Sequence, residues 1–220
     1  MNGSTLVKIS SKSARELFQG CSEEYITHVC HGRCCWANNT GAENHQIPVF
    51  PEEEERLRAH GAHIENGFMT PKGGGDRCQF QAENGLCGLH ADNAKPLTCY
   101  LSPFVFNDSG TLVVKNRNRL LKCYQDETVA HTPAYVAYKE SLVKIFGEDT
   151  ASRICEALEA GSGDFTVSID TEHYIKIQQL RKAHKGTWEP WMMRAVGADP
   201  KEKKVKAAPA PRPEPLFEGL

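Results

Sequence analysis

Cys78-Gln79-Phe80-Gln81-Ala82-Glu83-Asn84-Gly85-Leu86-Cys87, then Gly88-Leu89-His90, and further on Lys95-Pro96-Leu97-Thr98-Cys99-Tyr100, is the stretch around which the chain is organised. Its counterpart lies upstream, Cys30-His31-Gly32-Arg33-Cys34-Cys35. Six cysteines fall in these two short blocks, and glycine, proline or an aromatic residue stands close to each. Asn84-Gly85 is a strong tight-turn signal between two extended runs. A hairpin there brings Cys78 near Cys87, and a turn or helix start at Lys95-Pro96 returns Cys99 toward them. Gly32 supplies the unusual dihedrals or close backbone approach that a ligand loop needs. The expected result is a small, loop-rich core in which these three thiols meet Cys30, Cys34 and Cys35.

Nine cysteines in a chain of 220 residues need a chemical reason. The N-terminus, Met1-Asn2-Gly3-Ser4-Thr5-Leu6-Val7-Lys8, carries no basic region followed by an apolar stretch and a small-residue cleavage site, so no secretory signal is read. Clustered thiols in a reducing cytoplasm are metal ligands or redox groups rather than disulfides. The adjacent pair Cys34-Cys35 points the same way, because bridging neighbours strains the peptide between them. No apolar run reaches the ~18 residues of a membrane span. The formal net charge of -2 gives no global attraction to nucleic acid or to an anionic membrane.

Thiolates bind zinc tightly and are the usual ligands of iron–sulfur clusters. The candidate ligands are Cys30, Cys34, Cys35, Cys78, Cys87 and Cys99, with Cys21 and Cys123 as further candidates. That is enough for one site with spare thiols or for two sites. The spacings match neither a zinc-finger ladder of paired Cys-x2-Cys units nor the ferredoxin Cys-x2-Cys-x2-Cys run. Cys155 lies in an expected helix beside Ile154 and Leu158 and reads as an inert core thiol.

With these residues in view, the chain resembles the YkgJ-like CxxCxxCC cysteine-cluster family, a zinc- or iron-chelating group. Three features carry the resemblance. They are the vicinal pair in Cys30-His31-Gly32-Arg33-Cys34-Cys35, the stretch Ile47-Pro48-Val49-Phe50-Pro51-Glu52, and the pattern Cys78-x-Phe80, Gly85-x-Cys87, Lys95-Pro96-x-x-Cys99-x-x-x-Pro103. Together they cover about residues 20 to 125, roughly half of the chain. The chain departs from the family where Cys-x3-Cys-Cys replaces Cys-x2-Cys-x2-Cys-Cys, with Cys21 available as a substitute leading ligand, and where Lys95 stands in place of the usual arginine. The resemblance implies coordination of zinc or an iron–sulfur cluster by Cys30, Cys34, Cys35, Cys78, Cys87 and Cys99. One branch that looks similar, the flagellin lysine N-methylase group, implies an alternative role as an iron–sulfur-dependent enzyme or an accessory subunit of a protein-modifying enzyme, with a protein partner. No methyl-donor site is legible in the sequence, and whether the chain is an enzyme stays open.

Other features read as scaffold. His31 and His90 are taken as surface or supporting histidines. Pro51 and Glu52 to Glu55 suit the solvated start of a helix. Gly73-Gly74-Gly75 lacks the spacing of a phosphate loop and reads as a flexible loop. Lys115, Arg117, Arg119 and Lys122 form a solvated basic face, and no aromatic platform interleaves them. Ser11 or Ser13 is expected to cap a helix that Gly20 ends, and Leu6 to Ile9 is a strand. Phe104-Val105-Phe106 and Thr111 to Val114 form a hairpin across Asn107 to Gly110. Helices are expected over Pro133 to Phe146, over Thr150 to Ala160 with Asp149 as cap, and over Thr171 to Ala183, with a strand at Phe165 to Ile169. Trp188 and Trp191 flank Pro190 in a segment that packs back on the domain. The fold class expected is α+β, a small loop-rich cysteine core with short β-hairpins covered by C-terminal helices. The expected divisions are a metal-binding domain over 1–130, a helical extension over 131–195, and a disordered tail over 196–220.

Overall fold

In the computed structural model, residues 3–36, 46–71, 74–126 and 131–179 are described. The polar stretch Asn38 to Gly41, Gly73, the end of the last expected helix, Trp188, Trp191 and the tail 196–220 lie outside them.

The strand Ser4–Ile9 is the inner strand on which the main sheet is assembled. Its residues alternate across the sheet, with Val7 and Ile9 buried while Leu6 is 73% exposed. On one side it runs antiparallel to Phe165–Asp170, from Ser4 opposite Asp170 to Ile9 opposite Phe165. On the other it runs parallel to Thr111–Val114, with Lys8 opposite Thr111 and Ile9 opposite Leu112. Thr111–Val114 in turn pairs with Phe104–Phe106 in the expected hairpin, Phe104 facing Val114. Asn107 shapes its turn, its side-chain oxygen accepting from the Ser109 and Thr111 amides at 3.0 and 2.9 Å.

Two helices, Lys139–Phe146 and Glu148–Glu159, share the core of this sheet. Leu142 and Ile145, and Ala151, Ile154 and Leu158, recur at spacings of three and four and are all buried. Phe18, Phe104 and Phe106 fill the space between, each worth about 1.5–3 kcal/mol of burial. A second, separate apolar cluster forms around Leu57, Ile64, Met69 and Leu89. It belongs to a small sheet, in the order Ile47–Pro48, Phe68–Met69, Ile64–Glu65, and to the helix Pro51–Ala59. The fold is α+β, with two cores of unequal size.

Several local expectations change in the tertiary setting. The helix expected from Pro133 to Phe146 breaks at Tyr138, whose φ of -125° and ψ of 37° separate Ala134–Ala137 from Lys139–Phe146. There the Tyr138 ring meets Phe18 edge to face at 5.5 Å, a contact that outweighs an unbroken helix. The first helix is only Ser11–Ala14, and Ser10 caps it, accepting from the Ser13 amide at 3.4 Å. Ser11 and Ser13 do not cap because they are buried and engaged elsewhere, Ser13 accepting from the Val114 amide at 2.8 Å. That helix stops short of Gly20 because Leu17–Phe18 pairs as a strand with Thr132–Pro133.

Pro51 does open a helix, but its acidic start is not wholly solvated. Glu53 turns inward and accepts from the Phe50 amide at 3.0 Å and the Leu97 amide at 2.7 Å. One carboxylate thus caps the helix and fixes the turn before Cys99. The basic run is also partly consumed by structure. Asn116–Leu120 is a 3-10 turn, and the Arg119 guanidinium pairs with Glu16, Nε to Oε2 at 2.6 Å.

Candidate metal centre

The turn at Asn84-Gly85 forms as its residues require. Gly85 has φ of 85°, its amide bonds the Ala82 carbonyl at 2.9 Å, and the Ala82 amide bonds the Leu86 carbonyl at 2.9 Å. The Gly88 amide donates to Phe80 at 2.8 Å, and Gln81 and Cys87 face one another across the hairpin. Cys99 sits in the short helix Leu97–Tyr100, which Pro96 starts. The Thr98 hydroxyl anchors that helix to the small sheet through the Pro48 carbonyl at 2.8 Å. The Cys78 amide donates to the Cys35 carbonyl at 3.0 Å. Cys35, Cys78, Cys87 and Cys99 all pack on the smaller core.

Two glycines and one amide join the cysteine blocks. The Gln81 side-chain amide donates to the His31 carbonyl at 3.0 Å and the Gly32 carbonyl at 2.8 Å. His31 and Gly32 are left-handed, with φ of 50° and 59°. A Cβ on Gly85 would lie 2.6 Å from the His31 carbonyl carbon, and one on Gly32 would strike the Gly85 carbonyl oxygen. Only a chain with no side chain at both places brings the loops this close. The Trp36 ring is flanked by two guanidinium groups, Arg33 at 4.0 Å and Arg77 at 5.0 Å, beside Cys35 and Cys78.

Cys30 goes elsewhere. It ends a π-helical turn, Ile26–Cys30, that follows the short helix Glu23–Tyr25 capped by Ser22. That turn packs against the helix Lys122–Gln125, which carries Cys123. The Cys123 carbonyl accepts from the Gln19 amide at 2.7 Å, which draws the start of the Cys21 segment to the same place. The Cys21 thiol donates to the Tyr138 hydroxyl at 3.9 Å. Cys30 and Cys123 belong to the larger core. The structure therefore brings Cys78, Cys87 and Cys99 to Cys35, and sets Cys30 with Cys21 and Cys123. Cys34 stands between, its sulfur 4.0 Å from that of Cys35. The expected convergence of Cys78, Cys87 and Cys99 on Cys30, Cys34 and Cys35 is met at Cys35 and divided at Cys34.

The thiols hold their protons tightly. Burial pushes Cys78 and Cys123 up to about 11, with neighbouring thiols adding to each. Burial also raises Cys99 and Cys30. Cys35 is raised well above 9.0, first by its hydrogen bond with Cys34 and then by burial. Crowded, desolvated thiols resist ionising together unless positive charge is placed among them. Burial likewise raises Tyr138, so its hydroxyl stays protonated and can donate to an ionised sulfur.

None of the nine cysteines is in a disulfide. Among the described residues, no three His, Cys, Asp or Glu side chains gather tightly enough to hold a single metal ion. Tetrahedral zinc bonds of about 2.3 Å would set the sulfurs less than ~4 Å apart. The donor set, all soft thiols, is of the class that zinc and iron–sulfur clusters share. His31 and His90 are exposed, and Cys155 is partly buried against the larger core, its thiol 3.9 Å from the Tyr135 carbonyl.

Comparison of the chain with protein-family models, with curated proteins and with solved structures returns no match. Three residues of the site escape a reading by sequence. Tyr138 looks like one of several helix-face tyrosines, Gln81 like a polar hairpin residue, and Trp36 follows the vicinal cysteines without a motif of its own. Only the glycines opposite Gln81 carried a local signal.

Proposed function

We propose that this protein binds zinc or an iron–sulfur cluster through clustered thiolates, with Cys30, Cys34, Cys35, Cys78, Cys87 and Cys99 as ligands and Cys21 and Cys123 as further ones. The observation that carries this reading is the gathering of Cys35, Cys78, Cys87 and Cys99 on one apolar core from segments more than forty residues apart in sequence. Crowding of Cys35, Cys78 and Cys99 is unfavourable for their ionisation, and a cation reverses that balance. The family resemblance read from Cys30 to Pro103 supports the same ligand class.

The protein's own part in such a centre is to bind and enclose it. Gln81, Gly32 and Gly85 hold the loops together, Glu53 sets the Cys99 turn, and Lys95 places positive charge near Cys99. When bound, an iron–sulfur cluster would supply one-electron chemistry. The test is to purify the full chain without oxygen and measure iron, zinc and acid-labile sulfide per chain. Bound metal is expected, iron with equivalent sulfide and broad visible absorption marking a cluster and zinc without sulfide marking an ion, with Cys99→Ser lowering its content. Metal-free protein would end the reading.

A further inference from the structure

Eight of the nine thiols are candidate ligands, and a four-thiolate centre uses four. We infer that they build two metal centres back to back, one on Cys21, Cys30, Cys34 and Cys123 and the other on Cys35, Cys78, Cys87 and Cys99. This rests on the metal-binding reading above and adds the number and membership of the centres.

Three independent observations divide the thiols in this way. The first is packing, since Cys30 and Cys123 belong to the larger core, and Cys35, Cys78, Cys87 and Cys99 to the smaller one. The second is chain geometry. Arg33–Cys35 is a 3-10 turn, and successive side chains in such a turn point about 120° apart. Cys34 and Cys35 are therefore aimed to different sides of one backbone segment, with their sulfurs still only 4.0 Å apart. The third is what reaches each set. The Tyr138 hydroxyl touches Cys21, whereas the hairpin and the Cys78-to-Cys35 backbone bond serve the other set. A vicinal pair is what two adjacent centres require, because one peptide unit then contributes a ligand to each.

The experiment uses the full chain, purified and handled without oxygen, and four single variants, Cys21→Ser, Cys123→Ser, Cys87→Ser and Cys99→Ser. Iron, zinc and sulfide are measured per chain, and the reduced proteins are examined by electron paramagnetic resonance. Circular dichroism identifies variants that fail to fold, and two variants on each side keep both arms readable, since Cys21 and Cys87 are not buried. Each variant is expected to lose about half of the metal, and one variant from each side combined is expected to lose nearly all. If the centres are iron–sulfur clusters, the wild type shows a spin-coupled signal that becomes a simple one in each variant. If they are zinc, the halving alone decides. A single variant that empties the protein while it remains folded would overturn the division in favour of one centre. So would Cys21→Ser and Cys123→Ser leaving the metal content unchanged. A wild-type chain with no metal would overturn the metal-binding reading itself, which is a different outcome.

Discussion

The two sets of thiols share a plan and differ in what holds them. Cys78, Cys87 and Cys99 come from 22 consecutive residues, folded by a glycine turn and a proline turn, and only Cys35 is imported. Cys21, Cys30 and Cys34 come from 14 consecutive residues, and only Cys123 is imported, on a helix that belongs to the larger core. The first arrangement depends on backbone turns. The second depends on aromatic packing, Phe18 against Tyr124 at 5.1 Å and against Tyr138 at 5.5 Å. The difference predicts how each should fail.

Phe18→Ala should have the largest effect. Phe18 is fully buried and its loss should cost about 3–5 kcal/mol. Chemical denaturation should show that destabilisation, and metal analysis should show loss at Cys21, Cys30 and Cys123 before loss at the hairpin set. Equal loss from both would mean that the two regions are not separable. Gly32→Ala attacks the seam between them. The new Cβ would strike the Gly85 carbonyl oxygen at a left-handed residue, costing about 1–3 kcal/mol. Metal content should fall on both sides, because Cys30 and Cys34–Cys35 flank this glycine; unchanged content would show that close apposition of the loops is unnecessary. Gln81→Ala tests the same seam more gently. It removes amide donation to His31 and Gly32 and should cost about 1–2 kcal/mol, read as a lower melting temperature.

A pH dependence follows for protein stripped of metal. An unfolded thiol ionises near 9.0, while folded Cys78 and Cys123 hold their protons to about 11. Between these values the folded chain binds more protons than the unfolded one. Stability is therefore retained below pH 9 and falls as pH rises from 9 toward 11. Urea midpoints taken across that range should decline steadily, and a flat profile would mean that the thiols are not buried together. The smallest effect is expected from Tyr138→Phe. Loss of one hydroxyl donor should make the reduction potential of the Cys21 side more negative and leave the hairpin side unchanged, as potentiometric titration would show.

Much of the hairpin set was legible in the sequence. Asn84-Gly85, Lys95-Pro96 and Pro51 announce their turns and their helix, and Asn107 to Gly110 announces the hairpin that the main sheet uses. The α+β class followed from the same signals. The pairing of distant segments was not legible, for a physical reason. Nothing near Ser4–Ile9 says that it will pair in parallel with Thr111–Val114, and nothing near Cys123 says that its carbonyl will meet the Gln19 amide. Those contacts are chosen by how whole elements bury their apolar faces. Tyr138 shows the limit most sharply. Its helical spacing with Tyr135 and Leu142 reads as an unbroken helix, yet the chain breaks there to set one ring on Phe18 and one hydroxyl beside Cys21.

X-ray absorption at the metal edge, on the full chain purified without oxygen, addresses the ligands directly. The expected result is a coordination shell of sulfur alone at about 2.3 Å. A shell containing nitrogen or oxygen donors, or a chain with no bound metal, would contradict thiolate ligation by these cysteines.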